Sequence, residues 1–315
     1  MVRVTGRPGV DEPEGPAPVT LVCVAFHRPL QIGRLAAGFS ASPVDLVVVN
    51  VDADPDVAAA VSGSGATVVD LPGNPGFAAG VNAGAAVAGG RIVVFANDDL
   101  ELDPEAVCAL AGAIERDEAD VAVPTVRTAE GAREPTICAL PTPGALLREW
   151  ALLPDHPVRG AGGVHVEKWR SPTAPERIDA AAAVVVAVRG ELLRAVPLPE
   201  AYFLYWEEQE WFWRLRERGA RVSYRPEAVV THRGGRGDLR PEKARLLARN
   251  AVRCVRRTQG RFKAALAWPI VIVWNLRVLC LDAVRAATGH GPAQGRLPSR
   301  RAGLRSAIAA WRELA

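Results

Sequence analysis

The chain has 315 residues, 49% of them hydrophobic, which is enough for one large or two modest domains around a substantial core and excludes a disordered polymer. Its net charge of +3 is small, but arginines crowd into Arg233 to Lys263, an asymmetry that points to an anionic partner; no nucleic-acid partner is expected. Cys23, Cys108, Cys138, Cys254 and Cys280 are odd in number and widely spaced with no CxxC pair. They read as reduced core cysteines of a cytoplasmic protein, which excludes a disulfide scaffold.

Residues 1–17 carry acids and prolines without an apolar signal core, and are expected to be a disordered tail. From Pro18 apolar strands alternate with helices: strand Val19–Phe26, helix from Pro29, strand Asp45–Val49, helix Pro55–Val61, strand Ala66–Leu71, helix after Gly76, and an apolar strand ending on Asn97-Asp98-Asp99. Such alternation predicts an α/β fold with a mostly parallel sheet covered on both faces. Asp103 should cap a helix with Pro104 at its first position. A strand over Asp120–Val126 follows, then a Pro- and Gly-rich insert, Arg133–Pro175, of the kind that faces substrate. Beyond it come a buried strand Ile178–Val188, a helix Glu207–Arg218, and short strands Arg221–Tyr224 and Ala228–Thr231. After Arg240 the pattern is helical throughout.

Two acidic clusters stand out. In open α/β sheets ligands bind beyond the strand carboxyl ends, so Asp98 and Asp99 are either a polar turn or a cation site. Glu207, Glu208 and Glu210 open a helix, where acids suit the dipole, but they sit among Tyr205, Trp206, Trp211 and Trp213. A carboxylate beside apolar rings gains proton affinity and is fitted for proton abstraction near neutral pH. The dinucleotide fingerprint and the phosphate-binding loop GxxxxGK[ST] are both missing.

The ordered set "NPGFAAGVNAG", "FANDD", "YFLYWEEQEWFWRLRERG", "PEAVVTH" and "ARNAVRCVRR", spanning roughly Val19 to Arg257, resembles the family 2 glycosyltransferases and especially their rhamnosyltransferase-like branch. The resemblance implies a GT-A fold, Rossmann-like, with a C-terminal helical extension: a catalytic domain over 18–238 and a helical region over 239–315. It implies an inverting, metal-dependent transferase using Mg²⁺ or Mn²⁺ and a dTDP- or UDP-linked nucleotide sugar. The acceptor would be a hydroxyl of a glycan or a polyprenyl-diphosphate-linked molecule, in cell-wall or polysaccharide synthesis at the cytoplasmic face.

Position by position, Asn97 and Asp99 match the Asn-x-Asp form of the metal-binding DxD motif, with Asp99 as the metal ligand. His232 matches a histidine that joins the metal in some members. Glu208 stands where the family has its catalytic aspartate and Glu207 matches the glutamate before it, so the base lies among Glu207, Glu208 and Glu210. Donor contacts fall on Gly76, Phe77, Asn82, Asn97 and Asp98, and on Asn50 or Asp52, because "VVVNVDADPD" replaces the family's Val-Asp-Asn. A sugar nucleotidyltransferase and a non-catalytic nucleotide-sugar-binding homologue are the competing functions.

At the C-terminal end, Arg245, Arg249, Arg253 and Arg256 recur at helical spacing as a basic stripe. The following Ala264–Leu276, with Trp268 and Trp274, is shorter than the roughly 20 residues that span a bilayer. It suits either peripheral contact with a membrane surface or a buried core helix.

Overall fold

The computed structural model describes residues 3–5, 19–148, 172–233, 239–289 and 293–314. In chain order the first half holds β1 (Arg3–Thr5), β2 (Val19–Ala25), α1 (Pro29–Phe39), β3 (Val44–Val51), α2 (Pro55–Ala60), β4 (Thr67–Leu71), α3 (Phe77–Val87), β5 (Ile92–Asn97), β6 (Leu100–Glu101), α4 (Pro104–Glu115) and β7 (Val121–Thr128). Then come β8 (Arg133–Glu134), β9 (Ile137–Cys138), α5 (Pro143–Leu146), β10 (Glu176–Arg177), β11 (Ala180–Ala181), β12 (Val185–Arg189), α6 (Gly190–Ala195), α7 (Glu207–Glu217) and β13 (Val222–His232). The chain closes with α8 (Pro241–Ala287), α9 (Ala293–Ala309) and a 3₁₀ turn, Ala310–Leu314.

The central sheet runs β4-β3-β2-β5-β12-β7-β13. β4, β3, β2 and β5 are mutually parallel, β12 is antiparallel to both its neighbours, and β7 and β13 are parallel to each other. Every central strand except β12 therefore points the same way, and their carboxyl ends share one edge. Strand β2 is buried along its whole length, as a strand covered on both faces must be. One face is covered by α1, α2 and α4, the other by α3, α6 and α7. Helix α3 lies close because Gly84 and Gly80 leave room: a Cβ on Gly84 would stand 2.2 Å from Val22. Asp103 caps α4 as expected, its Oδ1 accepting from the Ala106 N–H at 2.7 Å.

Several expectations need correction. Arg3–Thr5 is not tail but an edge strand, antiparallel to β4 with Arg3 opposite Asp70; residues 1–2 and 6–17 lie outside the described residues. The expected strand Ile178–Val188 is two, because the chain turns at 182–184. β11 then pairs with β9 in a separate two-stranded sheet, while β12 enters the main sheet. Arg221–Tyr224 and Ala228–Thr231 are instead one strand, β13, whose register shifts between Arg225 and Val229 around Pro226, which has no N–H to donate. Cys108 and Cys280 are exposed and not core. Much of the insert, 149–171, lies outside the described residues.

Helix α8 breaks at Gly260, where φ is 84° and ψ 174°. Its two arms fold back on each other with α9 packed between: a Cβ on Gly303 of α9 would meet Asn275 of the second arm and Ala244 of the first. The arginine stripe on the first arm is not free. Arg253 holds Glu313 at 2.9 Å and the Ala201 carbonyl at 2.8 Å, and Arg249 and Arg256 are half-buried; Arg245 alone of the four is exposed.

Candidate active site

Strand β5 ends at Asn97, and the next two side chains meet opposing neighbours. Asp98 accepts from the Phe26 N–H at 2.7 Å and lies 3.4 Å from Arg28 Nε, while Asp99 lies 3.9 Å from the same guanidinium. Burial pushes the Asp98 carboxyl up to about 6, against the pull of Phe26 and Arg28. Burial pushes Asp99 up too, but His232 and Arg28 outweigh it and hold its carboxyl below the ordinary value. His232, at the end of β13, lies with Nε2 3.3 Å from Asp99 Oδ1 and Nδ1 2.8 Å from Glu134 Oε2. Burial lowers its proton affinity, yet the two carboxylates raise the imidazole to about 9.

These residues fit a divalent cation in a specific way. Asp99 Oδ1 is buried and has no aligned hydrogen-bond donor despite its nearness to His232. Glu134 grips Nδ1, as the outer partner of a metal-binding imidazole does, and Nε2 could take an ion that displaces its proton. Among the described residues no group of three or more His, Cys, Asp or Glu side chains gathers into a closed metal cage. A cation here would take few protein ligands and complete its shell with diphosphate oxygens and water, as magnesium-type sites do.

The second acidic cluster reaches the same edge. Helix α7 turns through 218–221 into β13, so it runs back along the sheet and its amino end comes to the strand carboxyl ends. The Trp211 ring packs 5.6 Å from Phe95, two residues before Asn97. Tyr205 and Trp206, at φ 68° and 79°, form a left-handed turn that aims the first turn of α7. Glu207 and Glu208 are buried there. Burial pushes both up, Glu208 to about 7, with mutual repulsion adding to the rise at Glu207. Glu207 Oε2 and the Gln209 amide have no aligned partner. Glu210 differs: Arg214, Arg257 Nε at 2.7 Å and Tyr202 Oη at 2.6 Å all donate to it, so it is an ion-paired anchor that joins α7 to α8.

The donor candidates divide. Asp52 stands at the edge with φ 66°, hydrogen-bonded at 3.2 Å to His27, which also bonds Asp54 at 2.6 Å. Asn50 is fully buried instead, its amide spent on Asp70, the Asp54 carbonyl and the Asp54 N–H. Asn82 is likewise spent on Leu198 and Glu200. Gly76 admits the backbone of Phe203, and Phe77 packs edge-on against Phe95. These four hold the edge in shape, whereas Asp52 and Asp98 lie on it and Asn97 closes β5 there. His27, Arg28 and Glu134 stand at this edge although no sequence motif marks them. The position of Arg28 just after β2 was a usable signal, but Glu134 reaches His232 only through tertiary pairing. His27, Asp52, Ala53, Tyr205 and Trp206, all in left-handed backbone, cluster at this edge, where strain commonly marks function.

Two open cavities of about 560 and 340 Å³ lie at the opposite end of the sheet, bordered by Asp117, Asp120, Arg189, Arg221 and Arg225. Their charges already neutralise one another, with Arg189 and Arg221 on Asp120 at 2.9 and 3.1 Å. Cavity size does not locate the chemistry here.

No curated protein sequence matches the chain. Among solved structures, a mycobacterial protein superposes with a TM-score of 0.53 at 20% identity, covering 78% of this chain and 76% of that one. Glucosyl-3-phosphoglycerate synthase from Mycobacterium tuberculosis, in complex with Mn²⁺, UDP-glucose and phosphoglyceric acid, gives 0.52 at 19% identity over 78% and 80%. S. aureus TarS (1–349) gives 0.51 at 16% identity over 93% and 80%. At these identities the likeness speaks for the fold, which is GT-A with a long C-terminal helix. Residues 43–137, from the start of β3 into β9, match the family model "Glycosyl transferase family 2".

Proposed function

We propose that the protein is a metal-dependent, inverting glycosyltransferase. It moves a sugar, rhamnose by its sequence resemblance, from a dTDP- or UDP-linked donor to a hydroxyl of a glycan or polyprenyl-diphosphate-linked acceptor in cell-envelope or polysaccharide synthesis. The observation that carries this reading is the meeting of two unlike acidic groups at one sheet edge: Asp98 and Asp99 beside cationic partners, and the buried, proton-hungry Glu207 and Glu208. That structures of the same fold include one holding Mn²⁺ and UDP-glucose agrees with it.

The chain's own groups divide the work. Asp99 and His232 would hold Mg²⁺ or Mn²⁺, Arg28 lies beside them for the diphosphate, and Asp52 with His27 faces the nucleotide. A bound divalent cation would neutralise charge growing on the leaving diphosphate. Glu208 takes the proton of the acceptor hydroxyl as that oxygen attacks from the face opposite the leaving group. Its elevated proton affinity suits a base working near neutral pH, and Glu207 raises the local negative potential. The ion pairs and hydrogen bond that hold Glu210 to Arg214, Arg257 and Tyr202 favour giving the role to these two.

Titration calorimetry with UDP and dTDP, with Mn²⁺ and with EDTA, tests the donor side, and release of nucleotide from UDP- and dTDP-sugars tests transfer. The expected outcome is nucleotide binding that weakens at least tenfold in EDTA and in Asp99→Ala. Full-strength binding in EDTA would remove the metal from the site.

A further inference from the structure

The second arm of α8 leaves an apolar face uncovered. Phe262, Leu266, Val273, Leu276 and Val284 are between 46% and 75% exposed, and they recur in steps of three and four with Pro269 and Cys280 on the same line. They form one seam roughly 33 Å long. The opposite face of this arm is already used: Ala264, Ala267, Val271 and Val278 are buried beneath the neighbouring helices, and Trp268 Nε1 donates to the Ala307 carbonyl at 2.9 Å. Ile308 and the Trp311 ring, at the end of α9, are exposed as well.

Charge identifies what the seam meets. Residues 239–315 hold sixteen Lys and Arg against three Asp and Glu, a net +13, so the rest of the chain carries −10 of the total +3. All three acids are engaged: Glu242 lies by Arg245, Asp282 holds Arg296 and Arg300, and Glu313 holds Arg253. No acid occurs from Arg261 to Leu281, and exposed Arg261 and Lys263 flank Phe262 on both sides. An apolar line edged by unopposed cations complements a lipid surface rich in anionic headgroups. A second copy would bring two +13 regions together, which long-range repulsion disfavours. Part of this helix, over 18 residues with mean hydropathy 1.8, is long and apolar enough to cross a bilayer. Crossing would drag the arginine-rich α9 packed on its other face into hydrocarbon, so lying flat is the cheaper arrangement.

We propose that the helical region docks peripherally on an anionic membrane surface through the Phe262–Val284 seam. The inference stands on exposure and charge alone, whatever reaction the sheet edge performs. An acceptor held in the same membrane would then be presented to the catalytic edge by the helices that grip the 201–206 loop.

Flotation of the full chain with phosphatidylcholine vesicles, with and without phosphatidylglycerol, at low and high salt, tests it. The expected result is co-flotation with phosphatidylglycerol vesicles that high salt or alkaline carbonate reverses. A triple variant, Phe262→Ser, Leu266→Ser and Val273→Ser, touches only exposed positions and should keep the wild-type melting temperature. It should lose partitioning by roughly tenfold or more per the apolar area removed. Arg261→Glu with Lys263→Glu should abolish the preference for phosphatidylglycerol. Absence of flotation at low salt, equal flotation of the triple variant, or carbonate-resistant insertion would each overturn the proposal. So would a wild-type dimer in sedimentation that the triple variant dissociates while neither binds vesicles.

Discussion

Glu207 and Glu208 are two adjacent carboxyl groups held in one buried turn, and this has opposite effects on stability and chemistry. In the fold both bind protons more tightly than in the unfolded chain, where glutamate titrates near 4.5. Stability from this source is complete below about 4.5 and is lost as pH rises through the folded value, about 7 for Glu208. Glu207→Gln should therefore stabilise the protein at pH 8 and do little near pH 4.5. Glu208→Gln should stabilise in the same way while lowering turnover by roughly 10² with nucleotide binding unchanged. Wild-type turnover should fall as pH drops below about 7, since the base must be ionised. Thermal melts at both pH values and a pH–rate profile check this, and a destabilised Glu208→Gln at pH 8 would refute the account. The acids were legible because acidic residues among aromatic rings are unusual. The roles of Asn50, Asn82 and Glu210 were not, since a polar side chain's type says nothing of whether its hydrogen bonds are already spent.

At the scale of elements, most helices and strands were readable because apolar periodicity and proline or aspartate caps are local signals. Strand direction is not local. The sequence of β12 is apolar like its neighbours, and only the reversed path after 182–184 makes it antiparallel. The β13 bulge left its trace in Pro226 but read as a gap between strands. Gly76 shows the same limit. It introduces α3, as a turn glycine might anywhere, yet its φ of 98° and the approach of Phe203 make it the clasp between the donor-side loop and the segment before α7. A Cβ there would stand 2.2 Å from the Phe203 carbonyl oxygen, whereas at Gly63, φ 75°, it would meet nothing within 4 Å. Gly63→Ala should cost only about 1–2 kcal/mol for its left-handed backbone. Gly76→Ala should cost clearly more, roughly 3 kcal/mol or above, and reduce turnover by displacing the loop that carries Tyr205 and Trp206. Comparing the two variants by denaturant melts separates the clash from the backbone term.

Across the whole molecule, residues 239–314 are built into the site instead of hanging from it. Arg257 meets Glu210, Gln259 donates to the Pro141 carbonyl, and Arg253 donates to Ala201. The firmest tie is Asn250, fully buried in α8, whose Nδ2 donates to the Leu204 carbonyl at 3.0 Å and the Tyr205 carbonyl at 3.1 Å. Tyr205 and Trp206 hold a conformation that costs free energy, and the turn they make sets where Glu207 and Glu208 point. A single side chain of the helical region thus props the turn at the carboxyl edge of the sheet. Asn250→Ala should leave two buried carbonyls without donors, at a cost of about 2–3 kcal/mol, and lower turnover more than it weakens nucleotide binding. Asn250→Asp keeps the shape but replaces the donor with a charge facing two carbonyl oxygens, so it should be worse than alanine at neutral pH and recover as the pH falls. Because the catalytic sheet and the helices share these bonds, the wild-type protein should unfold in one calorimetric transition. Two well-separated transitions, or an aspartate variant more stable than the alanine one at neutral pH, would show that the helices do not hold the turn.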